Sequence, residues 1–167
     1  MDAIINKVAE SGLITIDLEE LYTPGERVLI DIKGWLYEEL ILKEKEFREY
    51  IKQHDWSSFQ NKLVAVNCSA DAIVPTWAYM LVAIAVAPFA NKIVFGSLEQ
   101  LEEILFEEKI AAMDITSFSD QRIIVKGCSK VNVPVSAYVQ ITSRLQPIVK
   151  SIMYGEPCST VPLYKRK

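Results

Sequence analysis

The sequence holds one histidine and three cysteines in 167 residues. Neither a CxxC pair nor a close Cys/His pair occurs, so the spacings that mark zinc fingers and zinc ribbons are absent. A Walker loop, a dinucleotide fingerprint, a nucleophile elbow and an HExxH are missing too, which removes the standard signatures of nucleotide binding, hydrolysis and metalloproteolysis. Basic charge is in deficit. Eighteen Lys and Arg face 22 Asp and Glu for a net charge of −4, whereas nucleic-acid surfaces need a basic field. Nucleic acid is therefore not an expected partner. The only basic cluster, Lys165, Arg166 and Lys167, reads as a solvated tail. The first residues lack a basic stretch, an apolar run and a small-residue cleavage site in the order of a secretory signal. A cytoplasmic protein is expected, in which thiols stay reduced and an odd number of cysteines raises no pairing problem.

Charge is also absent between Asp71 and Lys92. That run could be mistaken for a membrane span, which needs about 20 apolar residues. Pro75 near its start and Pro88 near its end argue against a span, as do the strand-like runs on either side. It reads instead as a helix buried on nearly all sides, with a subunit interface as the second choice.

What is present is enough for one domain spanning residues 1–167. Half of the residues are hydrophobic and 24% are charged, the balance of a compact chain with its own core. "ERVLIDIK" (26–33) alternates like a strand after the Pro24-Gly25 turn. "LILKEKEFREYIKQH" (40–54) has the spacing of an amphipathic helix. "KLVAVNC" suits a strand buried on both faces, and "KIVFG" follows the apolar helix as another. Ser97 is placed to cap a helix over 98–113, with Glu99 and Gln100 in its first turn. "QRIIVKGC", a helix from Pro134, and "SIMYG" as the last strand complete the chain. "GLITIDLEELY" is expected to add an edge strand or a cap. Alternating strands and helices imply an α/β layered domain with a mainly parallel sheet.

Each cysteine, Cys68, Cys128 and Cys158, is followed by Ser and, within a few residues, by Val-Pro. With Cys68 set against Cys128 and one residue fewer in the second loop, Val74-Pro75 falls on Val133-Pro134, a shift of 59 (133 minus 74). The same shift matches Ala78-Tyr79 with Ala137-Tyr138, Pro88 with Pro147, Ile93 with Ile152 and Gly96 with Gly155. The pattern reads as a duplicated strand–Cys-Ser–Val-Pro–helix–strand unit, roughly 61–96 and 121–155. Ligands of open parallel sheets bind beyond the carboxyl ends of strands, and all three thiols are expected at such ends.

Three thiolates close together need a cation, and soft ligands favour zinc, copper(I) or iron–sulfur chemistry. Asp71 is a candidate fourth ligand. His54 is a weaker one, since at a helix end it reads as a solvated residue. Ser69, Ser129 and Ser159 would donate to sulfur or bind an anion at helix ends, or else serve as caps and turns. Alternatively one low-pKa thiol, Cys68 or Cys128, carries redox or sulfur-transfer chemistry. A third reading is an interaction protein in which the apolar helix, Thr76 to Ala90, builds a homodimer and the cysteines only pack.

"DIKGWLYEELILKEKEFR", "NCSADAIVPTWAYM" and "GEPCSTVPLYKRK" together resemble an uncharacterised bacterial family of Bacteroidetes type, known only as a domain of unknown function. The resemblance covers essentially the whole chain. It implies a cytoplasmic protein encoded near iron–sulfur assembly genes, with iron–sulfur assembly proteins as partners and zinc or iron as the bound metal.

Overall fold

The computed structural model describes residues 5–8, 12–127 and 130–167, the first four by backbone alone. In chain order the elements are β1 (Ile5–Val8), β2 (Leu13–Ile16), β3 (Arg27–Asp31), α1 (Glu44–Gln53), β4 (Leu63–Asn67), α2 (Thr76–Val86), β5 (Lys92–Phe95), α3 (Leu98–Ala112), β6 (Arg122–Val125), α4 (Val135–Leu145), β7 (Ser151–Glu156) and β8 (Ser159–Lys165). The architecture is mixed α/β, with four helices and two mostly parallel sheets among the described residues. Two compact units emerge. One is Pro24–Leu101; the other joins Met1–Thr23 to Glu102–Lys167, and the division falls inside α3.

In the first unit β3, β4 and β5 pair in that order, all parallel. Leu63, Val64, Ala65 and Val66 of β4 are all buried, as a central strand covered on both faces requires. Ala78, Val82 and Val86, four residues apart, form the buried stripe of α2. They join Ile30, Ile32, Phe47, Trp56, Val64 and Val66 in one core. The amphipathic helix begins at Glu44, four residues later than the 40–54 expectation, because Glu38 and Glu39 have positive φ and Tyr37 bridges to Ile41 in a tight turn.

In the second unit the order is β1-β2-β6-β7-β8. β2, β6 and β7 are parallel, and β1 and β8 flank them antiparallel. "GLITIDLEELY" thus supplies an internal strand, β2, followed by a 3-10 turn over Leu18–Leu21. "SIMYG" is not the last strand, because the chain turns back through Pro157 and Cys158 into β8. Pro162 in β8 hid that strand from the sequence; a proline loses one ladder donor and is tolerated on an edge. Ser97 and Gln100 make a reciprocal cap at the start of α3. Ser97 N donates to Gln100 Oε1 at 2.8 Å and Gln100 N to Ser97 Oγ at 3.1 Å, the capping-box arrangement.

Several features of the two units recur at a spacing of 59 residues. α2 and α4 start at 76 and 135 and end at 86 and 145. Ala78, Val82 and Val86 on one answer to Ala137, Ile141 and Leu145 on the other. Asn61 and Asp120 both have positive φ, and their amides donate to Phe89 O and Ile148 O respectively. Tyr79 meets Phe95 edge-on, as Tyr138 meets Tyr154. Carried along the strands, this spacing sets Gly127, not Cys128, at the place of Cys68, since β4 pairs Leu63 with Lys92 and β6 pairs Arg122 with Ser151. Gly127 leaves room for Tyr154: a Cβ there would lie 2.5 Å from Tyr154 Cζ and 2.7 Å from its Oη, so the ring would have to turn aside.

Candidate functional site

The carboxyl ends of β3 and β4 are tied by a carboxylate. Asp31 ends β3 and stands opposite Asn67, the last residue of β4. Its Oδ1 accepts from the amides of Lys33 (3.0 Å) and Ser69 (3.1 Å), and its Oδ2 accepts from the Ser69 hydroxyl at 2.5 Å. Burial pushes this carboxyl up, but the Ser69 hydroxyl, the two amides and the Lys33 charge outweigh it and hold Asp31 below its ordinary 3.8. Ser69 therefore serves a carboxylate, not a sulfur. Asn67 Oδ1, beside this link, is buried and has no hydrogen-bond partner among the described residues.

Cys68 follows directly. It is half-buried, packs at the margin of the core, and its Sγ donates weakly to Ala70 O at 3.9 Å. Tyr79 stands near: burial first, then the Cys68 and Asp31 charges, push its phenol up. Asp71 is exposed and lines a shallow groove with Leu40, Ile41, Leu42, Ala72, Ile73 and Pro75.

His54 is not a solvated residue. It closes α1, its amide donating to Tyr50 O at 3.0 Å, and its ring packs against Trp56 (4.6 Å between centroids), Tyr50, Trp35 and Phe59.

In the other unit Asp17 repeats the Asp31 turn, accepting from Glu19 N at 3.0 Å, but its neighbour across the strands is Lys126, whose Nζ lies 3.3 Å from Asp17 Oδ2. That bond and charge, with Glu156 and Glu19 beyond, raise Lys126 against a small cost of burial. Cys158 is exposed in the β7–β8 turn, and Ser159 opens β8, not a helix. Cys128 and Ser129 lie outside the described residues. Among those described, no three His, Cys, Asp or Glu side chains are grouped so as to hold a metal.

The largest departure from expectation is α2. Its inner stripe is buried, but Met80 is 59% exposed and Ile84 70%, and Phe95 on neighbouring β5 is 65% exposed. The helix is therefore not covered on nearly all sides. Between α2 and β5 runs a groove of about 460 Å³ lined by Val66, Thr76, Tyr79, Met80, Ala83, Ile93, Val94 and Phe95. No strand pairs with β5 beyond β4 among the described residues. The Asp31 link was missed in the sequence, although its signal was there. An Ile-Asp step closes an apolar run twice, in "TIDLEEL" and "LIDIKGW", and Asp after a strand favours an Asx turn.

Against known proteins, the profile of the family described as "Protein of unknown function (DUF2480)" matches residues 2–166, and the chain belongs to that family. No curated protein and no solved structure matches it. None of the helices among the described residues is long and apolar enough to cross a membrane.

Proposed function

We propose that this member of the DUF2480 family is an interaction protein that takes an extended apolar segment into the groove between α2 and β5. The observation that carries the reading is the contrast between two helices in like places. On α2 the outward positions are Met80, Ala83, Ile84 and Ala87; at the positions 59 residues on, α4 carries Val139, Thr142, Ser143 and Gln146. The fold does not demand so apolar a surface there, since of these four positions on α4 only Val139 is apolar and the others are Thr, Ser and Gln. Exposed contiguous apolar surface of this kind marks binding sites, and a strand edge beside a helix is a known way to accept an extended chain. The chain itself contains such an arrangement, for β8 runs antiparallel along β7, the strand that answers to β5.

The test is a peptide of β8 sequence, "STVPLYK", titrated into isotope-labelled protein. Amide shifts confined to Ile93, Val94 and Phe95, with side-chain shifts at Met80, are the expected result. No perturbation up to ~1 mM, the concentration matching a binding free energy of about −4 kcal/mol, refutes the groove as a strand acceptor. A metal or iron–sulfur site at Cys68, Cys128 and Cys158, with Asp71 as fourth ligand, is the competing proposal, and thiol-dependent redox or sulfur transfer is the next. Both turn on sulfur chemistry and have a separate readout, set out below.

A further inference from the structure

In one unit β7 is flanked on its outer side by β8, antiparallel, with Tyr154 opposite Val161 and Ile152 opposite Tyr164. In the other, β5 holds the place of β7 but is followed by Gly96, Ser97 and α3, so no described segment returns along it. The same edge is thus closed once by the chain itself and once left open beside an apolar helix face. An open edge with apolar flanks is a template for pairing.

We infer that a second copy of this chain closes it, β5 pairing antiparallel with β5 of the second copy. This rests on the strand-docking reading above and names its occupant. Three features favour a second copy. A two-fold axis brings an edge strand against itself antiparallel, the sense in which β8 meets β7. Charge favours it as well: from Ala72 to Asn91 the sequence has no Asp, Glu, Lys or Arg, and Lys92 is the one charge on β5, so two chains of net charge −4 meet there without setting acidic groups together. Centred on Ile93 and Val94, antiparallel pairing sets Lys92 against Phe95 of the second copy, not against its own counterpart. Finally, the axis brings the two α2 helices side by side, where Ala83 between Met80 and Ile84 gives a small-beside-large surface that can pack on itself.

Sedimentation velocity of the full chain tests this over about a hundredfold range around micromolar concentration. The variants are Ile84→Glu, Phe95→Ser and, as a control on α4 at the place that answers to Met80, Val139→Glu, where the side chain is 64% exposed. Circular dichroism checks that each is folded, and Phe95→Ser carries the test if Ile84→Glu does not fold. The expected result is the mass of two chains for the wild type and Val139→Glu, and of one chain for Ile84→Glu and Phe95→Ser. Amide exchange at Ile93, Val94 and Phe95 should then quicken at least tenfold on going from dimer to monomer. A wild-type monomer throughout overturns the inference, as does a dimer that Val139→Glu breaks and Ile84→Glu leaves intact. The β8 peptide, titrated into wild type and Ile84→Glu, separates the two levels. Shifts at β5 in a monomeric wild type leave the strand-docking reading standing without a second copy; no shifts in either protein, with a monomer, remove both.

Discussion

Replacing Asp31 by Asn should destabilise the protein at neutral pH and by progressively less as the pH falls. Asp31 receives three hydrogen bonds, from Lys33 N, Ser69 N and Ser69 Oγ, and so holds the end of β3 to the loop leaving β4. Hydrogen bonds to an ionised acceptor are worth about 1.5–3 kcal/mol and neutral ones about 0.5–1.5, so each bond weakened from charged to neutral costs roughly 1 kcal/mol. Three such losses set an upper bound of ~3 kcal/mol; the exposure of Ser69 and solvent screening bring the expectation to about 1–2 kcal/mol. The pH dependence has a definite sign. The folded carboxyl titrates below its ordinary 3.8, so its contribution is complete above that value and is lost as the pH falls through the folded one. Urea unfolding of wild type and Asp31→Asn, from pH 7 down to about pH 3, measures this. A gap that closes in the acid limb is the expected outcome. Equal stability at pH 7, or a gap that does not change with pH, would refute the assignment of the carboxylate as the strand tie. Ser69→Ala isolates the shortest bond and should raise the Asp31 carboxyl toward 3.8 in a carbon-detected titration.

Three further predictions concern the start of α3 and the thiols. Gly96 has φ +139°, and a Cβ there would run into Gln100 Oε1, the acceptor of the α3 cap, and lie 2.9 Å from its Cδ; Gly96→Ala should therefore cost about 2–4 kcal/mol in urea unfolding, from backbone strain plus the lost cap, and a cost below about 1 kcal/mol contradicts the geometry. With Cys158 exposed and Cys68 half-buried, iodoacetamide should label Cys158 before Cys68 in the folded protein. Protein purified without oxygen, beside Cys128→Ser, tests the sulfur readings: stoichiometric zinc or iron lost in the variant supports a shared metal, labile sulfide extends it to a cluster, no metal in either removes the metal site, and thiols that all stay unreactive in the folded protein remove thiol transfer as well.

Much of the architecture was written in local patterns. The offset of 59 read from Val-Pro, Ala-Tyr and Gly recurs in helix ends, strand registers and turn hydrogen bonds, because each of these is set by a few neighbouring residues. Ser97 was legible as a cap for the same reason. The strand registers set Gly127 at the place of Cys68, and Cys128 lies outside the described residues. Ser69 looked like a companion of its cysteine, and its true partner, Asp31, is 38 residues away. His54 looked solvated because a sequence does not show that Trp35, Tyr50, Trp56 and Phe59 converge on one ring.

By itself, then, the sequence determined the kind and order of the central elements: apolar runs buried as parallel strands, a capped helix after Gly96, and an uncharged helix between two prolines. It also determined that α2 is apolar on every side, since hydropathy is a property of the residues alone. Only the tertiary structure decided which side of α2 is covered. A helix laid on one face of a three-stranded sheet buries one stripe, Ala78, Val82 and Val86, and the burial of the opposite stripe depends on whether another element reaches it. On β7 the chain supplies β8 to close the edge. On β5 it supplies none among the described residues, so Met80, Ile84 and Phe95 stay exposed, and an apolar pattern that reads locally as core becomes surface.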